Sequence, residues 1–99
     1  MKRHWTLEDI RWQDFDPSKV DAGVLAAVKA AALVEFNAPD YVTYLCNVFS
    51  DRPDVKDMLV GWGKEEIQHG QALARWAELA DPTFNFEAAF ARFQAGYRI

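Results

Sequence analysis

Cys46 is the only cysteine in the chain, so no internal disulfide can form and no paired Cys-x-x-Cys knuckle of a rubredoxin or zinc ribbon can be built. A surplus of positive charge is also missing. Eleven Lys and Arg stand against 15 Asp and Glu, a formal net charge of -4, which is the wrong sign for a surface that neutralises phosphates. Nucleic acid is therefore not an expected partner. No uninterrupted apolar run reaches the roughly 18 residues that a membrane-spanning helix requires, so no membrane span is expected. Met1-Lys2-Arg3 carries the charge of a secretion signal, but Trp5-Thr6-Leu7-Glu8-Asp9 breaks any apolar stretch behind it. The expectation is a soluble, cytoplasmic protein. At 99 residues it can support one core, hence a single domain over 1–99.

What the chain does contain is helical periodicity. Residues 1–16 hold Trp5, Leu7, Ile10, Trp12 and Phe15 among charges and read as an arm whose aromatics dock on the rest, with Trp5 and Trp12 as packing anchors. Asp16-Pro17-Ser18 is a helix-start signal, and Ser18-x-x-Asp21 offers a capping box, so a first long helix is expected over 17–49. Its apolar positions step by four and three through Val24, Val28, Ala31, Ala38, Val42, Leu45 and Phe49, and one carboxylate, Glu35, interrupts them. A second register through Leu25, Val28, Ala32, Pro39, Val42, Cys46 and Phe49 also runs through Glu35. Pro39 cannot donate to the helix ladder, and the carbonyl that it releases is that of Glu35. It either kinks the helix or splits it in two, with Asn37 and Asp40 favouring a break.

Ser50-Asp51-Arg52-Pro53 is a short polar connection, so the next helix, over 53–80, should fold back as the second arm of an antiparallel hairpin. Its seam runs Val55, Leu59, Trp62, Glu66, His69, Leu73, Trp76, Ala80 and is interrupted by a Glu-x-x-His pair one turn apart on one face. Glu35 stands nearly as many residues before the turn as Glu66 and His69 stand after it, which makes the three level. Asp81-Pro82 ends this helix. Asn85 can cap a short helix over 85–96, where Phe86, Phe90, Phe93 and Tyr97 form an aromatic stripe with no assigned chemistry.

Two carboxylates facing each other in an apolar seam cost several kcal/mol unless something positive compensates them. Lys29 and Arg75 are off the seam by helical geometry, and His69 alone could compensate one charge. A divalent cation satisfies Glu35, Glu66 and His69 together, and imidazole with carboxylates suits iron, manganese or zinc. Glu65 lies about 100° around the helix from the seam and reads as solvent-facing or supporting. His4 has no companion at ligand spacing, and Cys46 is about three turns from Glu35.

A carboxylate on one helix and Glu-x-x-His on the next, in the settings Val28-Lys29-Ala30-Ala31-Ala32-Leu33-Val34-Glu35-Phe36-Asn37 and Glu65-Glu66-Ile67-Gln68-His69-Gly70-Gln71-Ala72-Leu73-Ala74-Arg75-Trp76, resembles half of a ferritin-like di-iron carboxylate bundle. The similarity is to the amino-terminal half of rubrerythrin-related bacterial ferritin-like proteins and covers roughly residues 18 to 95. It implies an all-α half-bundle, metal ligation by Glu35, Glu66 and His69, and oxidoreductase or ferroxidase-type reaction of two ferrous ions with dioxygen or peroxide. It also makes Tyr41 and Tyr44 candidates for supporting or electron-transfer groups, against ordinary packing.

Such proteins carry two ligand sets, and this chain carries one. Two explanations stay open: two copies pair into a homodimeric four-helix bundle, or the chain is part of a longer protein, which its apolar ending at Ile99 favours. A reading of another class is a metal-free helical interaction module in which Glu35, Glu66 and His69 are satisfied by hydrogen bonds or ion pairs. A mononuclear zinc site on the same three residues is the third.

Overall fold

The computed structural model describes residues 5–96 and is all-helical, with no strand among the described residues. Met1-Lys2-Arg3, His4, Tyr97 and Ile99, all named above, lie outside the described residues. Three single 3-10 turns, Leu7–Asp9, Trp12–Asp14 and Pro17–Lys19, precede four α-helices: α1 (Ala22–Phe36), α2 (Ala38–Val48), α3 (Pro53–Ala80) and α4 (Phe86–Gly96).

The first helix starts at Ala22 and not at Pro17. Asp16 does act as a cap, accepting from the Ser18 N–H at 3.0 Å, but only for one 3-10 turn. Val20 then turns extended (φ -81, ψ 124), and Asp21 caps α1 by accepting from the Val24 N–H at 2.9 Å. The cap nearer the apolar run wins because its helix has a face to bury.

Pro39 splits the long run in two. α1 ends at Asn37, and α2 begins with the proline in its first turn, where its missing N–H does no harm. The two helices meet at 45°. No single helix is long and apolar enough to cross a membrane; α1 and α2 reach that length and composition only as a bent pair.

α3, at 28 residues, is the element against which the others pack. It starts at Pro53 and ends where Asp81, extended ahead of Pro82, gives its N–H to the Ala77 carbonyl at 2.8 Å. α1 and α2 both lie along it. Val42 meets Gly63, Phe36 meets Gly70, and Lys29 pairs with Asp81 at 2.8 Å, so residue numbers fall on one side as they rise on the other.

The contact itself is made of small residues. Ala32 and Ala38 on one side and Gly63, Gly70, Ala74 and Ala77 on the other are buried. A methyl group on Gly70 would lie 2.7 Å from the Phe36 backbone nitrogen, and one on Gly63 would lie 2.5 Å from Val42 Cγ2. This corrects the expected seam: Trp62 is 40 % exposed and Val24 52 % exposed, and both flank the contact without filling it. Backbones approach closely only where side chains are absent, so large residues are displaced to the margins.

α4 closes one end. Asn85 accepts from the Ala88 N–H at 3.0 Å, and Phe36 is held edge-on by Phe86 and Phe90, with ring centroids 5.3 and 4.9 Å away. Asn37, fully buried at the break, accepts from Gln94 Nε2 at 3.3 Å, and its own amide nitrogen has no partner among the described residues. The chain is 19 Å thick along its shortest axis, about two helix diameters, and its radius of gyration is 15.6 Å. A compact domain of this length has a radius of about 13 Å.

Candidate metal centre

Glu35 occupies the last turn of α1, one residue from the Phe36 backbone that Gly70 approaches. His69 is one residue from Gly70 on α3. A close approach of the two helices, at Gly70 and Phe36, thus lies beside both side chains. His69 Nδ1 is 3.4 Å from Glu66 Oε1 and 3.8 Å from Glu35 Oε1, and one ligand atom from each of the three residues falls within 4.8 Å of the others. Glu65, on the neighbouring face, is exposed and outside the cluster.

The cluster lies at the margin of the helix contact. Its side chains are 30 % (Glu35), 20 % (Glu66) and 38 % (His69) exposed, so each is half-buried with one side open. Burial raises the Glu35 carboxyl above its ordinary value, the Glu66 charge and the hydrogen bond that protonated Glu35 donates to Glu66 raise it further, and His69 opposes them. The two carboxyl groups crowd each other, and no lysine or arginine reaches either among the described residues. Lys29 is occupied by Asp81 and lies 5.0 Å from the Phe84 ring centroid; Arg75 stacks 4.5 Å from that of Trp12.

The donor set fits a divalent transition metal. Donors bound at about 2.0 to 2.2 Å to one ion are at most about 4.4 Å apart; the two separations from His69 Nδ1, 3.4 and 3.8 Å, lie within that limit, and all three donors lie within 4.8 Å of one another. Two carboxylates and an imidazole make up three positions, fewer than the four to six such ions take, and the open side leaves room for the rest.

Two features of the site were missed in the sequence. Trp5, read as a packing anchor, stacks on His69 with ring centroids 6.0 Å apart and planes 5° apart. It also forms one wall of an open cleft of about 570 Å³ that His69 lines together with Trp62, Lys64, Glu65 and Gln68. Nothing in the local spacing of an arm residue pairs it with a position more than 60 residues later. Gly70 was missed as well, though its signal was present: a glycine within a helix costs about 1 kcal/mol relative to alanine and calls for a packing reason. Tyr44 is half exposed, on the outside of α2.

Comparison of the chain with family models, with curated proteins and with solved structures finds no match.

Proposed function

We propose that the chain is half of a metal-binding helical bundle in which Glu35, Glu66 and His69 ligate a transition metal, iron in the first instance with manganese or zinc as alternatives. The observation that carries this reading is the cluster itself. Two half-buried carboxylates in contact, one with a raised affinity for its proton, share a site with an imidazole and have no lysine or arginine to balance them among the described residues. Such an arrangement is destabilising for a metal-free chain and favourable once a divalent charge enters.

α1 and α2 against α3 form a hairpin whose apolar margins are uncovered. Val34, Val48, Met58, Val60, Trp62 and Leu79 are all exposed, on a body 19 Å thick. A second copy of the same hairpin covers them and brings a second Glu, Glu-x-x-His set to the first, as in ferritin-like four-helix bundles. The chemistry that an iron pair supplies there is oxidation of ferrous ions by dioxygen or peroxide. The chain's own residues would bind and orient: Glu35 and Glu66 would supply oxygen donors, and His69 a nitrogen through Nδ1. The raised proton affinity of Glu35 makes metal entry a competition with that proton, so loading is favoured as pH rises.

The test is metal analysis of protein purified without chelator or affinity tag, beside the Glu66→Ala/His69→Ala double variant. Metal in the parent and none in the variant supports the site; no metal in the parent, or equal metal in both, overturns it. The competing reading, a metal-free interaction module, gains support only from a parent that carries no metal.

A further inference from the structure

We infer that Trp5 is a positioning residue for the metal centre: its indole, lying flat beside the His69 imidazole, holds that ring in the plane that aims Nδ1 at Glu35 and Glu66. The inference rests on the metal reading above and adds a residue from outside the helices to it.

A metal-ligating histidine is ordinarily oriented through its second ring nitrogen, which donates to a carboxylate or carbonyl. Here no such hydrogen bond holds the second nitrogen among the described residues. The torsion about the imidazole's own bond is broad, so an unheld ring on a half-exposed helix face swings away from its carboxylates. A parallel aromatic neighbour removes that freedom, and Trp5 supplies one, with planes 5° apart and centroids 6.0 Å apart.

The stack is itself braced at both ends of the arm. Gln68, adjacent to His69, donates from Nε2 to the Trp5 carbonyl at 2.6 Å. Thr6 donates its N–H to Asp9 at 2.8 Å, and Trp12 donates from Nε1 to the Leu7 carbonyl at 2.8 Å, which ties down the Leu7–Asp9 turn between the two tryptophans. Further along α3, Arg75 covers the Trp12 ring at 4.5 Å, and Phe15 meets Trp76 edge-on at 6.1 Å. The arm therefore runs beside α3 from His69 to Trp76, and its first anchor falls on the one imidazole of the cluster.

Cobalt(II) titration of the full chain, read by its visible ligand-field spectrum, tests this with four variants. Trp5→Ala is expected to bind about tenfold more weakly than the parent, with an altered spectrum. Trp5→Phe, which keeps a flat ring, should restore both. Trp12→Ala removes the far brace without touching His69 and should change the affinity and the spectrum less than Trp5→Ala does. If Trp5→Ala loses helicity, Gln68→Ala decides, since it removes only the hydrogen bond to the Trp5 carbonyl: a changed spectrum supports the role and an unchanged one overturns it. Parent-like binding and spectrum in a folded Trp5→Ala chain overturn the inference alone, as does equal loss in Trp5→Ala and Trp12→Ala. A parent that binds no cobalt overturns the metal reading, and this inference with it.

Discussion

Gly70 is the residue on which the geometry of the cluster depends most, because it lets the α3 backbone approach Phe36 just beside Glu35 and His69. Gly70→Ala places a methyl 2.7 Å from a backbone nitrogen and within 2.9 Å of two carbons of the same residue, none of which can move aside as a flexible side-chain end could. The strain, about 1 to 3 kcal/mol, outweighs the roughly 1 kcal/mol that alanine adds to helix propensity, so thermal denaturation should show a lower midpoint. Gly61 is the control. Nothing lies within 4 Å of a methyl placed there, and Gly61→Ala should raise the midpoint. Glu35 gives a second residue-scale test, in the metal-free chain. Its folded-state carboxyl titrates above the ordinary 4.5, so between 4.5 and the raised value the folded chain keeps a proton that the unfolded chain has released. Stability therefore falls as pH rises through that window, and Glu35→Gln should flatten the fall in urea melts taken across it. The residues of the cluster were legible from spacing, since both registers placed Glu35 inward and turn counting made it level with Glu66 and His69. Trp5 was not, because contact between an arm and a distant helix is set by tertiary packing, which leaves no period in the sequence.

At the scale of elements, the helical class could be read from the apolar period, while the boundaries followed from local competition. Asp16 and Asp21 are both good capping residues, and the sequence does not rank them. The extended turn at Val20 leaves the first with three residues to cap and the second with a 15-residue helix. Pro39 likewise allowed a kink or a split, and burial of Asn37 beneath α4, with Phe36 clamped by Phe86 and Phe90, accompanies the split. The seam drawn through Trp62 was displaced onto Gly63 because steps of four and three mark a face about two positions wide, and steric bulk decides which edge of it makes contact. The junction between the middle of α1 and the end of α3 depends on Lys29 and Asp81. The hydrogen bond from Lys29, then those from Thr83, hold the Asp81 carboxyl down at about 2 against an ordinary 3.8. A depressed folded-state value means stability that is present above 3.8 and is lost as pH falls toward 2. Asp81→Asn should remove that part of the acid transition, followed by circular dichroism between pH 5 and pH 2.

The whole molecule is thin for its composition. Half of the chain is hydrophobic, yet the buried apolar residues among those described are four alanines, and the largest fully buried side chain is Asn37. Hydrophobic area that two packed layers would cover is left on the margins of one. On the proposed reading a second copy covers it, and sedimentation equilibrium should show the mass of two chains at micromolar concentration, with Val34→Lys or Met58→Lys shifting the population toward single chains. A chain that stays single at all concentrations would remove the paired form of the site and leave the three-ligand centre to stand alone. On the proposed reading association and metal binding are linked, since each copy supplies half of the ligands, and the link can be measured directly. Anaerobic equilibrium dialysis against ferrous iron, with the mass of the particle measured on the same samples, addresses the central claim. The account predicts saturable binding at one iron per chain in a two-chain particle, abolished by Glu35→Ala. Absence of saturable iron, or binding that Glu35→Ala leaves unchanged, would contradict it.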